Sequence, residues 1–516
     1  MLELDSPARA AAWLRRHVTG TLQTDSRTLA PGDGFIAWPG AGVDARAFVP
    51  GALSSGNAAA CLVERDGVAA YHFDNDQIAA YPGLKAGSAH VAAEFFRHPS
   101  HELALLAVTG TNGKTSTVWW LAQALSSTRL HPAFPCAMVG TLGVGHPPPS
   151  PPGASNAPLW AGLLATGLTT PDPVLLQASL RHFADAKVRA CAIEASSIGI
   201  TEHRLDATRI HTAIFTNFTQ DHLDYHGSMS AYWDAKARLF QWPGLRAAVI
   251  NIDDAKGSGL ARALEHSALD LWTVSCHSPA RLVAGGIVHT HSGLSFSVSE
   301  GLDQHLLNTQ LIGHYNVSNL LGVIAAMRTL GVPLSDAVAA CRDLAPVPGR
   351  MECVTAPGQP LVAVDYAHTP DALDKALEAL RPMTTERGGR LWCLFGCGGN
   401  RDPAKRPLMG AAAARGADHV VLTSDNPRNE NPLDILRQIM PALQGHPSVT
   451  EQADRGLAIT QTLLRAASND VVLVAGKGHE SYQETAGKRL PFSDLAHVRQ
   501  ALSTRHAGAV AQGVAA

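Results

Sequence analysis

The stretch Ala107-Val108-Thr109-Gly110-Thr111-Asn112-Gly113-Lys114-Thr115-Ser116-Thr117 constrains this chain more than any other. The run before it, Leu103 to Val108, is apolar enough for a fully buried strand. The run after it, Val118-Trp119-Trp120-Leu121-Ala122-Gln123-Ala124-Leu125, suits a helix. A strand, a glycine loop and a Lys-Thr pair opening a helix form a phosphate cradle. Glycines let backbone N–H groups approach phosphate oxygens, and the helix N-terminus adds partial positive charge. Gly110, Thr111, Asn112, Gly113, Lys114, Thr115 and Ser116 are therefore the expected nucleotide-binding residues. Lys114 would meet the outer phosphates and Thr115 would ligate Mg²⁺. The usual loop has a glycine where Val108 stands, so this one is the shorter Gly-Thr-Asn-Gly-Lys-Thr.

At 516 residues the chain has room for two to four domains. A net charge of −3 without a lysine or arginine run argues against a nucleic-acid partner. Met1 to His17 lacks a signal-peptide core, and no apolar run is long enough to span a bilayer. The eight cysteines are scattered. The spacing of Cys393 and Cys397 is not a zinc pattern, so they read as core thiols of a cytosolic protein.

The first hundred residues read as short strands and helices, ending near His98-Pro99-Ser100. Asp25-Ser26-Arg27 reads as a turn with a surface ion pair. In the second section, Gly145 to Gly167 is rich in Pro, Gly and Ser and reads as a loop or mobile insertion. A helix is expected after Thr169-Thr170-Pro171, to about Phe183. Strands are expected at Ala190–Glu194, Thr212–Asn217 and Ala247–Asn251. Ala280 to Ser299 looks β-rich, and Asn316 to Leu330 reads as a helix. Val347-Pro348-Gly349-Arg350 is a second break. The third section repeats the α/β rhythm, with strands at Leu361–Val364, Leu391–Phe395, His419–Leu422 and Val471–Val474. Each runs at once into polar or glycine residues, which in open α/β sheets form the ligand edge. The tail beyond His506 reads as frayed.

Several clusters carry chemistry. Glu194 ends a buried strand, where a carboxylate must be paired or on a metal. It and His222, from Asp221-His222-Leu223-Asp224-Tyr225-His226, could both face Mg²⁺ at the phosphate loop. The alternative is a helix cap by Asp221 with solvent-facing histidines. Lys236, on a helical stretch, reads from spacing alone as a solvated charge. Arg401 and Asp425-Asn426-Pro427-Arg428 gather guanidinium groups that suit carboxylates, and Glu480 suits an ammonium. Together they fit a zwitterion with an extra carboxylate, or else a surface salt-bridge network.

Taken in order, these motifs resemble the Mur ligase family, in its diaminopimelate-adding branch. They include Asp25-Ser26-Arg27, the Gly110–Thr115 loop, Thr169-Thr170-Pro171, Glu194-Ala195-Ser196-Ser197 and Asp221 to Gly227. Further on come Gly313-His314-Tyr315-Asn316-Val317-Ser318-Asn319, Pro348-Gly349-Arg350-Met351-Glu352 and Asp365 to Pro370. The series closes with Gly398-Gly399-Asn400-Arg401-Asp402, Asp-Asn-Pro-Arg and Gly476-Lys477-Gly478-His479-Glu480.

The resemblance implies an α/β protein of three domains. These are a UDP-substrate domain (1–100), a central phosphate-loop ATPase with a parallel sheet (101–347) and a C-terminal Rossmann-like amino-acid domain (348–516). It implies that Ser26, Thr169, Thr170, Ser196, Glu202 and Arg204 hold UDP-MurNAc-L-Ala-D-Glu. Asn319, Arg350 and Asp365 join the ATP site. Thr115, Glu194, His222 and Lys236 serve Mg²⁺, with Lys236 carbamylated (N6-carboxylysine), which reverses its surface reading. Lys114, Lys236 and His222 are the implied catalytic residues. Arg401, Asp425, Asn426, Pro427, Arg428, Gly476 and Glu480 match the meso-diaminopimelate site, Arg428 suiting the distal carboxylate. Glu202 replaces a frequent glutamine and Gln220 a common arginine. The implied enzyme is a cytoplasmic, monomeric, ATP-dependent amide ligase of peptidoglycan synthesis that works through an acyl phosphate. Folylpolyglutamate synthase shares the loop and the chemistry, but should lack the Asp-Asn-Pro-Arg and uridine-domain motifs. A nucleotide-driven switch or motor would turn over ATP without either ligand substrate.

Overall fold

The computed structural model describes residues 1–40, 42–148, 162–290 and 293–513. Three main sheets follow one another along the chain. The first has five parallel strands, in the order Leu2–Glu3, Ile78–Tyr81, Ala58–Glu64, Asp33–Ala37, Leu22–Gln23.

Among the described residues the second sheet has eleven strands. Its parallel centre runs Asp270–Ser275, Ala247–Asn251, Ile210–Phe215, Ala104–Thr109, Ala190–Glu194, Cys136–Gly140. The strand that feeds the phosphate loop therefore lies in the middle, apolar throughout because helices cover both faces. Alternate residues take opposite faces. Leu106 and Val108 pack with the helices Lys114–Leu125 and Tyr315–Thr329. Leu105 and Ala107 pack with Pro173–Asp185 and Ala255–Leu264. Truncating Leu106 to Ala would cost about 2–5 kcal/mol, because the closed interior cannot collapse around the lost volume.

The third sheet places Leu361–Asp365, Val471–Ala475, Leu391–Phe395, His419–Leu422 and Val449–Glu451 side by side and parallel, with Glu352–Val354 antiparallel at the edge. All four expected strands of this section form. Their common direction brings the polar loops to one end.

Two expectations need correction. The ends of the Pro/Gly-rich stretch are not loop: Gly143–Gly145 pairs antiparallel with Leu163–Leu164 at the sheet edge. The stretch between, residues 149–161, lies outside the described residues. The tail is not frayed from His506, since the last helix runs Asp494–Gly513. The β-rich stretch forms the strands Leu282–Thr290 and Gly293–Glu300. The later helix runs Tyr315–Thr329.

Candidate active site

The phosphate loop turns on two glycines at positive φ, Gly110 at 145° and Gly113 at 85°. A Cβ at Gly110 would lie 1.9 Å from Thr216 Oγ1, and one at Gly113 would lie 2.5 Å from Asn319 Oδ1. Glycine is thus required both for conformation and for close approach. The neighbouring strand straps the loop down. The backbone N–H of Asn112 donates to Asn217 Oδ1 (2.9 Å), and Thr216 Oγ1 donates to the Asn112 carbonyl (2.6 Å).

The loop opens onto a cavity of about 720 Å³. Residues from distant parts of the chain share its wall: Thr169, Glu194, Ser196, His222, Asn319, Arg350 and Asp365. Lys114 Nζ donates to the carbonyls of Gly110 (2.9 Å) and Thr111 (2.7 Å). Lys236 Nζ reaches the same Gly110 carbonyl at 2.6 Å. Its residue is 1 % exposed, so the solvated-charge reading fails. The helix Met229–Ala237 turns Tyr232, Ala235 and Lys236 inward, and the Lys236 ammonium lies over the Tyr232 ring, 4.4 Å from its centroid. Burial pushes the Lys236 amine well below the usual lysine range, and Lys114 pushes it further. Burial also lowers Lys114, against the pull of Glu194 and Asp221.

Glu194 is wholly buried and richly partnered. It accepts from Thr141 N (2.7 Å), Thr115 Oγ1 (3.1 Å) and Thr141 Oγ1 (3.2 Å). Burial raises its carboxyl, and Lys114 opposes the rise. Asp221 is not a helix cap. The short helix Leu223–His226 starts at His222, with φ 52° and no side-chain cap bond. Asp221 instead accepts from Lys405 Nζ at 3.0 Å. Burial opposes its ionisation, but His368, His222 and Lys405 hold it well below the carboxylate range. Burial drives His222 down to about 4, with only Asp221 resisting, so its imidazole is neutral at pH 7.

Thr170 Oγ1 donates to the Glu194 carbonyl (2.6 Å), and Arg204 donates to the Thr170 carbonyl (2.9 Å). Ser196 Oγ lies 3.0 Å from Thr170 Oγ1, and Thr169 takes a bond from Thr141 (3.1 Å). Glu202 is engaged elsewhere, by Lys85 at 2.7 Å and by the Tyr225 hydroxyl. Ser26 stays apart from this wall, in a turn closed by the Asp25–Arg27 ion pair (2.6 Å), as the turn reading expects.

The third sheet closes the far side. Arg350 donates to Thr115 Oγ1 (3.2 Å) and covers the Tyr366 ring at 4.4 Å. Asp365 is buried and accepts from the N–H groups of Met351 (2.7 Å) and Ala367 (2.8 Å). The remaining expected residues gather at this sheet's loop edge, outside the 720 Å³ cavity. A Cβ at Gly398 would meet Arg428 Nη1 at 2.8 Å and Arg401 Cγ at 3.6 Å, so both arginines flank one spot. Arg428 donates to the Gly399 carbonyl (2.8 Å), and Arg401 lies 3.6 Å from Asp224. Asn426 Nδ2 donates to Glu480 Oε2 (2.8 Å). Asp425 crowds Gly476, where a Cβ would sit 2.5 Å from its Oδ2. The Pro427 carbonyl presses on Gly399.

Two family models match. "Mur ligase middle domain" covers residues 108–327, and "Mur ligase, glutamate ligase domain" covers 349–478. The chain belongs to the Mur ligase family. It is 61% identical over 499 residues to the UDP-N-acetylmuramoyl-L-alanyl-D-glutamate–2,6-diaminopimelate ligase of Acidovorax sp. strain JS42, covering 96% of this chain and 97% of that protein. A solved structure of a ligase with the same name is 34% identical, with a TM-score of 0.61 over 94% of this chain and 95% of that one. The MurF ligase of Thermotoga maritima, solved in complex with ADP, shares the fold at 18% identity, with a TM-score of 0.64 over 96% of this chain and 98% of that one.

In this Mur ligase three participants escape sequence reasoning. Thr141 holds both Glu194 oxygens. It follows the strand Cys136–Gly140, and the rule that ligand groups sit past strand ends could have found it. Asp371 accepts from the phosphate-loop Asn112 side chain (3.0 Å) and from Lys375 (2.9 Å), a contact across more than two hundred residues that no local pattern announces. Lys477 lies within a motif already noted for its neighbours.

Proposed function

We propose that this Mur ligase joins meso-diaminopimelate to the D-glutamate side-chain carboxylate of UDP-MurNAc-L-Ala-D-Glu at the expense of ATP, in cytoplasmic peptidoglycan precursor synthesis. The 61% identity over nearly the whole chain to a ligase of that name carries the reading. The arginine pair around Gly398 supports it, because diaminopimelate carries a distal carboxylate that lysine lacks.

The chemistry follows from the residues. An oxygen of the glutamate carboxylate attacks the γ-phosphorus and ADP leaves, giving an acyl phosphate. The diaminopimelate amine then attacks the carbonyl carbon, loses a proton and expels phosphate. Lys114 exchanges its loop carbonyls for phosphate oxygens and neutralises charge as the phosphoryl group moves. Arg350, already on Thr115, brings the third sheet's cation to the same place. Neutral His222 can hold a ligand through a ring nitrogen.

Thr115, Glu194 and His222 share the cavity wall; the hydroxyl and the carboxylate are hard oxygen donors that suit Mg²⁺, which commonly takes one or two carboxylates plus substrate phosphates, and His222 would add a nitrogen beside them. When bound, Mg²⁺ supplies charge neutralisation to the phosphates. Lys236 meets a requirement of carbamylation: burial disfavours its charged form, the uncharged amine is the form that adds CO₂, and the carbamate would be an anion beneath the loop. Thr169, Thr170, Ser196 and Arg204 form one network beside Glu194 that would hold the UDP-dipeptide, with Ser26 and Glu202 at its margin. With the proposed division at residues 100 and 347, the phosphate loop and the Thr169–Arg204 network both belong to the central section and the arginine pair to the third. One chain carries the full set of residues, so the reaction needs no residue from a second copy.

The test is incubation with the UDP-dipeptide, ATP and radiolabelled amino acids. Diaminopimelate should be incorporated in preference to lysine. Preference for lysine would reject the specificity.

A further inference from the structure

We infer that Lys477 is the positioning residue of the amino-acid site, the buried cation that sets both the aim of Glu480 and the loop bearing Arg428. This rests on the amino-acid assignment above and adds a residue to it.

Lys477 is 0 % exposed. Its Nζ donates to Glu480 Oε2 at 2.7 Å and to Asn426 Oδ1 at 3.0 Å. Asn426 Nδ2 donates to the same Glu480 oxygen at 2.8 Å. Three groups thus close a ring around one carboxylate oxygen. Among the described residues, Oε1 of Glu480 has no hydrogen-bond partner, and Glu480 keeps 17% side-chain exposure. The ring leaves Glu480 with one oxygen fixed and the other presented. A carboxylate so held can accept from a ligand's ammonium without searching for its rotamer.

The same ring reaches Arg428. Asn426 Oδ1, held by Lys477, also accepts from the backbone N–H of Glu484 at 2.9 Å. That residue lies in the hairpin Tyr482–Thr485 with Lys488–Pro491. The carbonyl of Glu484 accepts the Arg428 N–H at 2.9 Å, and the Arg428 carbonyl accepts the Ala486 N–H at 2.6 Å. Arg428 itself sits at φ 51°, a conformation that needs such support. Lys477 therefore fixes an anion for an ammonium and, through one amide and one hairpin, the backbone of a cation for a carboxylate. Removing it would take one bond from the Glu480 carboxylate and one from the Asn426 amide oxygen, leaving them only Asn426 Nδ2 and the Glu484 N–H, and in a buried place an unmade bond is expensive.

The experiment uses the full chain with saturating ATP and UDP-dipeptide and varied meso-diaminopimelate. Lys477→Met should raise the diaminopimelate KM on the order of tenfold to a hundredfold, with the KM values for ATP and UDP-dipeptide within about twofold. Lys477→Arg keeps the charge but misplaces it, and should recover part of the loss. In a double-mutant cycle, Lys477→Met and Glu480→Gln should fall short of additivity. An unchanged diaminopimelate KM in Lys477→Met overturns the inference. If that variant does not fold, an unchanged KM in Lys477→Arg does so. So does an equal rise in all three KM values, the mark of a merely structural role. If wild type does not use diaminopimelate at all, the underlying assignment fails first, before any variant is measured.

Discussion

At the phosphate loop, Lys114 and Lys236 both donate to the carbonyl of Gly110. At the loop edge of the C-terminal sheet, Lys477 donates to the side chains of Glu480 and Asn426. Both sheets have parallel centres, and in each the candidate site residues follow strand ends. Their cations nevertheless stand differently towards a substrate. In the proposed reaction Lys114 must leave two backbone carbonyls to meet a phosphate, which would couple nucleotide binding to rearrangement of the loop. At the proposed amino-acid edge Arg428 must likewise leave the Gly399 carbonyl, but the buried Lys477 keeps the protein groups it already holds. The proposed catalytic lysine thus exchanges its partners on binding, whereas the proposed positioning lysine keeps them.

Lys114→Ala should produce the largest effect, a fall in kcat on the order of a thousandfold at saturating substrates, because the moving phosphoryl group loses its cation. Product assay by liquid chromatography measures it, and undiminished ligation would erase the contrast. Arg428→Ala should follow, raising the diaminopimelate KM about tenfold to a hundredfold while the ATP KM holds, as loss of a charge-assisted pair requires. A shift in ATP affinity instead would mean that the two ends are not separable.

Acid should sharpen the same contrast through stability. Burial, with Arg350 and Lys477 nearby, drives His479 down to about 3, and its Nδ1 is buried without a partner. Unfolded, it titrates near 6.5. Above pH 6.5 both states are neutral and the full stability is present. As pH falls from there towards 3, the unfolded chain takes the proton first and stability is lost. The loss is about 2 kcal/mol by pH 5. Thermal unfolding at pH 7.5 and pH 5 should show wild type losing that much relative to His479→Asn, whereas parallel profiles would refute it. Glu202→Gln should do least. Its ion pair with Lys85 is part-exposed, so the KM for the UDP-dipeptide should stay within about twofold. A larger change would give this margin a share in recognition.

The loops were readable because open parallel sheets put ligand groups just past their strands, and a strand buried on both faces writes itself as an unbroken apolar run. Val471–Ala475 and Ala104–Thr109 are such runs, and both form as expected. Lys236 was not readable from spacing, since a helix pattern does not say which neighbour covers a lysine. Only the resemblance to a family reversed that reading. The alternative reading of Asp221 as a cap fails in another way: Asp before a short helix looks like one, but its partner Lys405 comes from the next section of the chain. The contact between Asn112 and Asp371 is equally silent, because it depends on how two sheets meet.

The most direct measurement follows oxygen. With ¹⁸O placed in the D-glutamate side-chain carboxylate of the UDP-dipeptide, the enzyme should release phosphate carrying one ¹⁸O for each diaminopimelate added. Phosphate free of the label, with the amide bond still formed, would contradict transfer of the terminal phosphoryl group to the substrate.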